Sequence, residues 1–486
     1  MNSIAGCFRN VSVHTLVGRV AGLLTLFGLW SVCSLVSLAA ELRAGAATAN
    51  LTPAEGVSFD GPISKPGPIR GVHDPLTSRA IVLELGETRV AIVINDSCVM
   101  DREIYDTAKK IVSDAVGIPV QHQLMSATHT HAAPRVARVS TRPADEAYRQ
   151  FASQRIAEAV IAAHGRLAPA KIGLGTFVRP ELVACRRSIC QEGTIPANPF
   201  GDKTDRVMTN ASPNQKIVRP AGPVDPTFTV LSLEHADGRP LAVLGNLSVH
   251  YCGNYAPGMV SADYFGYYAR RLTEKLAADD LRSFVGLMSN GTSGDTGRIR
   301  VPKPERGAWL ELEQAGKLLA DETLSLLPKI EHHGVSVLKV VNRELELAVR
   351  KPTAERVAWA KALLADPKDK GSHVWSRIYA DETLLLLNFP DRVTIPLQAI
   401  RIGDIAIAAT SCEAFAETGL AVKAESPFKQ TFTIGLANGW NGYLPTPEQH
   451  ELGGYETWNA RSSQLEIEAE PKIRAAMIQL VQELGK

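Results

Sequence analysis

Short apolar runs alternate along the chain with longer stretches in which apolar residues recur at helical spacing. Arg79–Leu85 and Arg89–Asn95 read as a β-hairpin turned at Gly86-Glu87. Thr227–Glu234 and Leu241–Val249 read as a second, turned at Asp237-Gly238. Gln123–Ala127 and Phe284–Ser289 have the apolar character of buried strands, and further strands are expected at Val335–Leu347, Val393–Ile400, Ile405–Thr410 and Thr431–Leu436. Helical patterns run from an Asp101 N-cap to about Ala115 and over Ala144–His164, Asp263–Ala278, Trp309–Leu327, Ala354–Ala365 and Asp381–Leu387. Two more are expected, one starting at Glu413 and a closing one over Ser463–Leu484. Ser188–Pro223 is rich in Pro, Asn and Asp and reads as a long loop of the kind that covers a site. The order predicts an α/β fold, with mixed β-sheets flanked by helices.

Composition narrows the class. A chain of 486 residues exceeds a typical domain of about 150. Lys plus Arg (52) against Asp plus Glu (51) leaves a formal charge of +1, which excludes a strongly basic nucleic-acid binder. A hydrophobic fraction of 45% excludes a mostly disordered chain. Arg9 and Arg19 precede an apolar stretch, Val20 to about Ala40, that ends in Ser37, Ala39 and Ala40. That predicts a secretory signal over residues 1–40 and a periplasmic or secreted protein; left uncleaved, the same stretch is long enough to anchor the chain in a membrane. Residues 43–486 then form one large domain. Outside the leader stand Cys98, Cys185, Cys190, Cys252 and Cys412, an odd set without a CxxC and no disulfide framework. Cys185 and Cys190 are close enough in sequence to pair.

The chemistry concentrates at strand ends. Ser126-Ala127-Thr128-His129-Thr130-His131 follows directly on the strand at 123–127. On extended chain the imidazoles at i and i+2 project from one side, about 6–7 Å apart. One can then ligate a metal while the other faces a bound substrate; the alternative is a surface strand end with two solvated histidines. His250 ends a second apolar strand, where a buried imidazole must be bonded or ligated. Glu413 follows a third, as either a residue favoured by a helix dipole or a metal ligand. Asp96 and Asp263, just past strand ends, are candidates to orient ligating imidazoles, or else turn and N-cap residues.

These segments resemble the neutral/alkaline, non-lysosomal ceramidase family over about residues 43–460, in the same order. The likeness includes Gly71-Val72-His73-Asp74-Pro75-Leu76, Ser-Ala-Thr-His-Thr-His, the strand with His250, and Ser289-Asn290…Gly294-Asp295. It continues through Ser411-Cys412-Glu413 and the segment Gly442–Glu456. The resemblance implies a metallohydrolase-like catalytic domain that uses one Zn2+ to activate water for cleavage of an amide bond in ceramide or another N-acyl compound. It implies His129, His250, Glu413 and Tyr443 as zinc ligands, and His131, Tyr455 and Arg187 as catalytic residues. It further implies a small-molecule or lipid N-acyl substrate as partner, with peripheral membrane contact through that substrate. Two departures stand out. The family's active-site serine falls on Gly297, followed by the cation Arg298. The family's C-terminal immunoglobulin-like domain is not expected here. An ester or non-lipid amide hydrolase on the same scaffold, and a metal-stabilised binding protein without turnover, are the alternative readings.

Overall fold

The computed structural model describes residues 41–59, 67–137, 145–251, 253–277, 284–305 and 307–486. The leader at 1–40 lies outside them, and among the described residues no helix is long and apolar enough to cross a membrane.

Two sheets form the centre. The larger has eight strands in the order Val285–Asn290, Pro240–Leu247, Thr227–His235, Ala168–Val178, Arg43–Asn50, Thr77–Leu85, Thr88–Asn95, Gln123–Ala127. Its two outermost pairs are parallel and the others antiparallel, so it is a mixed sheet. The smaller has four strands, Leu338–Ala348, Arg392–Ile402, Ile405–Thr410 and Gln430–Ile434.

Period-two alternation explains the layering. In Thr77–Leu85, Ala80 and Val82 pack with helices Arg102–Val116 and Glu146–His164, through Ile104, Val112, Ile156 and Val160. Ile81 and Leu83 point the other way, into a core shared with Ile400, Ile402, Ile407 and Phe432 of the smaller sheet. Both faces of the large sheet are therefore buried, which is why its strands read as continuous apolar runs. Helix Asp263–Leu276 packs with Leu310–Leu326 over the other half of its helix-covered face. Helix Ala469–Leu484 covers the outer face of the smaller sheet through Ile473, Met477 and Leu480. The result is a helix–sheet–sheet–helix stack.

Most expected elements are present within a few residues of their expected bounds. Two differ in kind. Part of Ser188–Pro223 is not loop: Arg187–Cys190, Val207–Thr209 and Ile217–Pro220 make a three-stranded sheet. Glu413 does not open a helix. Glu413–Ala414 pairs in parallel with Tyr443–Leu444, and the helix begins at Ala416. Strands Arg43–Asn50 and Ala168–Val178 had no clear signal, because Ala, Gly and Pro dilute their β character.

Candidate metal centre

His129 and His250 follow strands that stand eighth and second in the large sheet. Six interstrand spacings would put them roughly 29 Å apart if the sheet were flat. Yet their Nε2 atoms are 3.1 Å apart. The segment after Ile434 joins the two edges. Gly435 N–H donates to Asn290 O at 3.0 Å and Asn438 N–H to Met125 O at 2.7 Å, while Ser126 Oγ donates to Gly435 O at 2.8 Å. The sheet curls, and its strand ends meet.

The two histidines are also locally reshaped. His129 has φ 74°, in the left-handed region, so the HxH segment is kinked rather than extended. This overturns the expected side-by-side projection: His131 Nε2 lies 3.3 Å from His129 Nε2. His131 also stacks on Tyr251, ring centroids 3.7 Å apart. Nor do carboxylates orient the imidazoles through Asp96, which instead accepts from Thr77 N–H at 2.9 Å and Arg79 Nη1 at 2.7 Å. Asp263 accepts from Tyr255 O–H and from Gly253 N–H. The orienting groups are backbone carbonyls. His129 Nδ1 donates to Cys98 O at 2.8 Å and His250 Nδ1 to Ser293 O at 3.2 Å.

Those bonds settle the proton positions. With both Nδ1 atoms donating, each imidazole in its neutral form presents a lone pair at Nε2, and the two Nε2 atoms face each other. Glu413 Oε2 lies 3.4 Å from His129 Nε2. It is buried and has no hydrogen-bond partner, whereas Oε1 accepts from Trp440 Nε1 at 3.0 Å. Two facing lone pairs and an unsatisfied carboxylate oxygen repel one another in a buried site; Arg186 Nη1, 3.1 Å from His250 Nε2, offsets this at one corner, and a cation among the three donors would satisfy them together. Among the described residues, His129, His250 and Glu413 form one group able to hold an ion, with donor atoms within 4.8 Å of one another. Cys98, His129 and His131 form another, but Cys98 Sγ lies 4.0 Å from Nδ1, the protonated side of His129. The donor set N, N, O suits zinc.

Around the cluster, burial and the neighbouring His129 and Arg186 hold His131 well below the ordinary imidazole pKa. Burial likewise lowers His250, with Arg186 adding to it. Tyr443 is the ladder partner of Glu413, and burial and the Glu413 charge push its phenol well above the usual range. Tyr455 lies beside it, ring centroids 5.7 Å apart.

The arginines divide the roles differently from the expectation. Arg187 is fully buried and turned away. It donates to Glu456 Oε2 at 2.6 Å, Gln449 Oε1 at 3.0 Å and Gly453 O at 2.7 Å. Arg186 is the one that reaches the histidines, with Nη1 3.1 Å from His250 Nε2. Its Nε donates to Glu456 Oε1 at 2.7 Å and its Nη2 to Gly294 O at 2.9 Å. The adjacent pair was visible in the sequence, but not which member faces inward. Trp440 was missed; its place three residues before Tyr443 was the available signal. Cys185 and Cys190 are free thiols here.

No protein-family model matches the chain, and no curated protein matches it. Solved structures place its fold with the ceramidases. One is the neutral ceramidase from Pseudomonas aeruginosa, 18% identical with a TM-score of 0.68, matched over 92% of this chain and 75% of that one. A second is a ceramidase complexed with C2, 16% identical with a TM-score of 0.67 over the same shares. The chain has the neutral ceramidase fold.

Proposed function

We propose that this protein is a zinc-dependent hydrolase that cleaves the amide bond of an N-acyl substrate, ceramide or a more polar compound of the same kind. The observation that carries the reading is the buried triad in which two imidazole lone pairs face each other at 3.1 Å beside an unpartnered Glu413 oxygen. It lies at converging strand ends of a neutral ceramidase fold. His129, His250 and Glu413 would hold the ion, with Tyr443, next to Glu413 in the ladder, as the fourth donor. When bound, zinc lowers the pKa of water to about 7 and polarises a carbonyl.

The chain's own residues supply the rest. His131 is kept neutral by burial, so its Nε2 can take the proton of the attacking water. It then returns that proton to the leaving nitrogen, which departs poorly as an anion. Tyr455 O–H and Arg186 Nη1 are donors for the oxygen on which charge develops. Arg187 acts behind them, through Glu456. Export through the leader and peripheral contact with a membrane belong to the same reading.

Purified protein should bind one zinc per chain. His129→Ala and His250→Ala should each abolish stoichiometric binding, whereas His131→Ala should keep the metal and lower kcat by about 10²–10⁴-fold on a cleavable N-acyl substrate. Folded protein that takes up no zinc would sink the proposal. One zinc with no turnover on a broad amide and ester panel would favour the binding-protein reading.

A further inference from the structure

The turn Ser293-Gly294-Asp295 touches two arms of the cluster, His250 and the segment of Glu413, and also Arg186. Ser293 O accepts from His250 Nδ1 at 3.2 Å, and Gly294 O accepts from Arg186 Nη2 at 2.9 Å. On the other side Gly294 N–H donates to Ala414 O at 2.9 Å. Asp295 Oδ1 accepts from Ala416 N–H at 2.8 Å. The backbone that carries Glu413 is thus held at two points by the same turn that holds His250. A Cβ on Gly294 would collide with the Glu413 carbonyl, so the close approach requires glycine.

We propose that Asp295 is a positioning residue for the metal centre: through Ala416 it clamps the Glu413 segment against the turn that orients His250, fixing the separation of two metal donors. This rests on the metal-centre reading. A second observation argues that Asp295 is not retained for stability. Its side chain is fully buried and Oδ2 has no hydrogen-bond partner, a costly arrangement for one backbone bond. Burial raises its pKa to about 7, against the pull of the Ala416 N–H. Thr296 and Gly297 separate Asp295 from Arg298, and Gly297 stands where the resembled family has its serine.

The test is zinc affinity, measured by chelator competition on the full chain, with the thermal midpoint of the zinc-free protein recorded alongside. Asp295→Ala should weaken zinc binding by about 10–100-fold. Asp295→Asn keeps an acceptor for Ala416 N–H and should bind zinc like the unaltered protein. Ala416→Pro removes the donor from the opposite side; Ala416 is the first residue of its helix, where proline is tolerated. It should weaken zinc as Asp295→Ala does, and it keeps the question open to decision if Asp295→Ala does not fold. Unaltered affinity in Ala416→Pro, or in folded Asp295→Ala, overturns the proposal, as does an Asn variant that is weak in zinc. An unaltered chain that binds no zinc overturns the metal-centre reading itself.

Discussion

Gly297 N–H donates to Ala184 O at 2.8 Å, which lays the glycine against the segment leading to Arg186. A Cβ there would lie 3.5 Å from Ala184 O and 3.6 Å from Arg186 Cβ, ordinary contact distances, so a Cβ fits without displacing anything. Arg298 runs beside Gly253 and Tyr251, whose ring stacks on His131. A guanidinium at that position suits an anionic or strongly polar group better than a neutral lipid head. On this reading, unmodified protein cleaves long-chain ceramide less efficiently than a polar or acidic N-acyl substrate. Gly297→Ser should move the kcat/KM ratio toward ceramide by about 1–2 kcal/mol, the worth of one hydrogen bond. Comparable kcat/KM for both substrates in the unmodified protein would show that this position does not set specificity. The same scale shows what a single letter hides. Asp96 has the right type and place to orient an imidazole, yet Arg79 and Thr77 claim its Oδ2.

At the level of elements, the segment Gln449–Glu456 is held by two buried arginines. Glu456 accepts from Arg186, Arg187 and Thr209, and those guanidinium charges outweigh burial to keep its pKa low. Removing that charge leaves two guanidinium groups in a dry interior. Glu456→Gln should cost about 3–5 kcal/mol of stability. It should also loosen Arg186, so kcat falls while zinc stoichiometry stays at one, as denaturant titration and metal analysis would read. A loss below 1 kcal/mol would mean water already screens the pair. The strands and helices around this segment were legible where apolar periodicity was strong, as in Gln123–Ala127 and Ile405–Thr410. Glu413–Ala414 was not, because a two-residue strand has no periodicity and exists only through its partner Tyr443–Leu444.

For the whole molecule, the decisive contact is the bridge from Gly435 to Asn438. It ties the Asn290 edge of the large sheet to the Met125 edge, and with them the His250 and His129 loops. A Cβ at Gly435 would approach Gly291 O to 2.8 Å, so Gly435→Ala must push the two edges apart. The expected outcome is a lower thermal midpoint together with weaker zinc binding, because the lone pairs lose their 3.1 Å approach. A variant with lowered stability but unchanged zinc affinity would show that the centre is held locally, without the curl of the sheet.

By itself the sequence determined the class of fold, since apolar runs and helical periodicity report burial one element at a time. It also placed His129, His250 and Glu413 just past strand ends, where polar side chains can gather at the rim of an α/β core. Tertiary structure decided the rest. Which arginine faces the cluster depends on how the Arg187–Cys190 strand is seated. The kink at His129 brings His131 inward, and backbone carbonyls from distant segments fix both imidazole tautomers. These are long-range hydrogen bonds and a sheet curvature that no local pattern encodes, and they set the distances on which a metal depends.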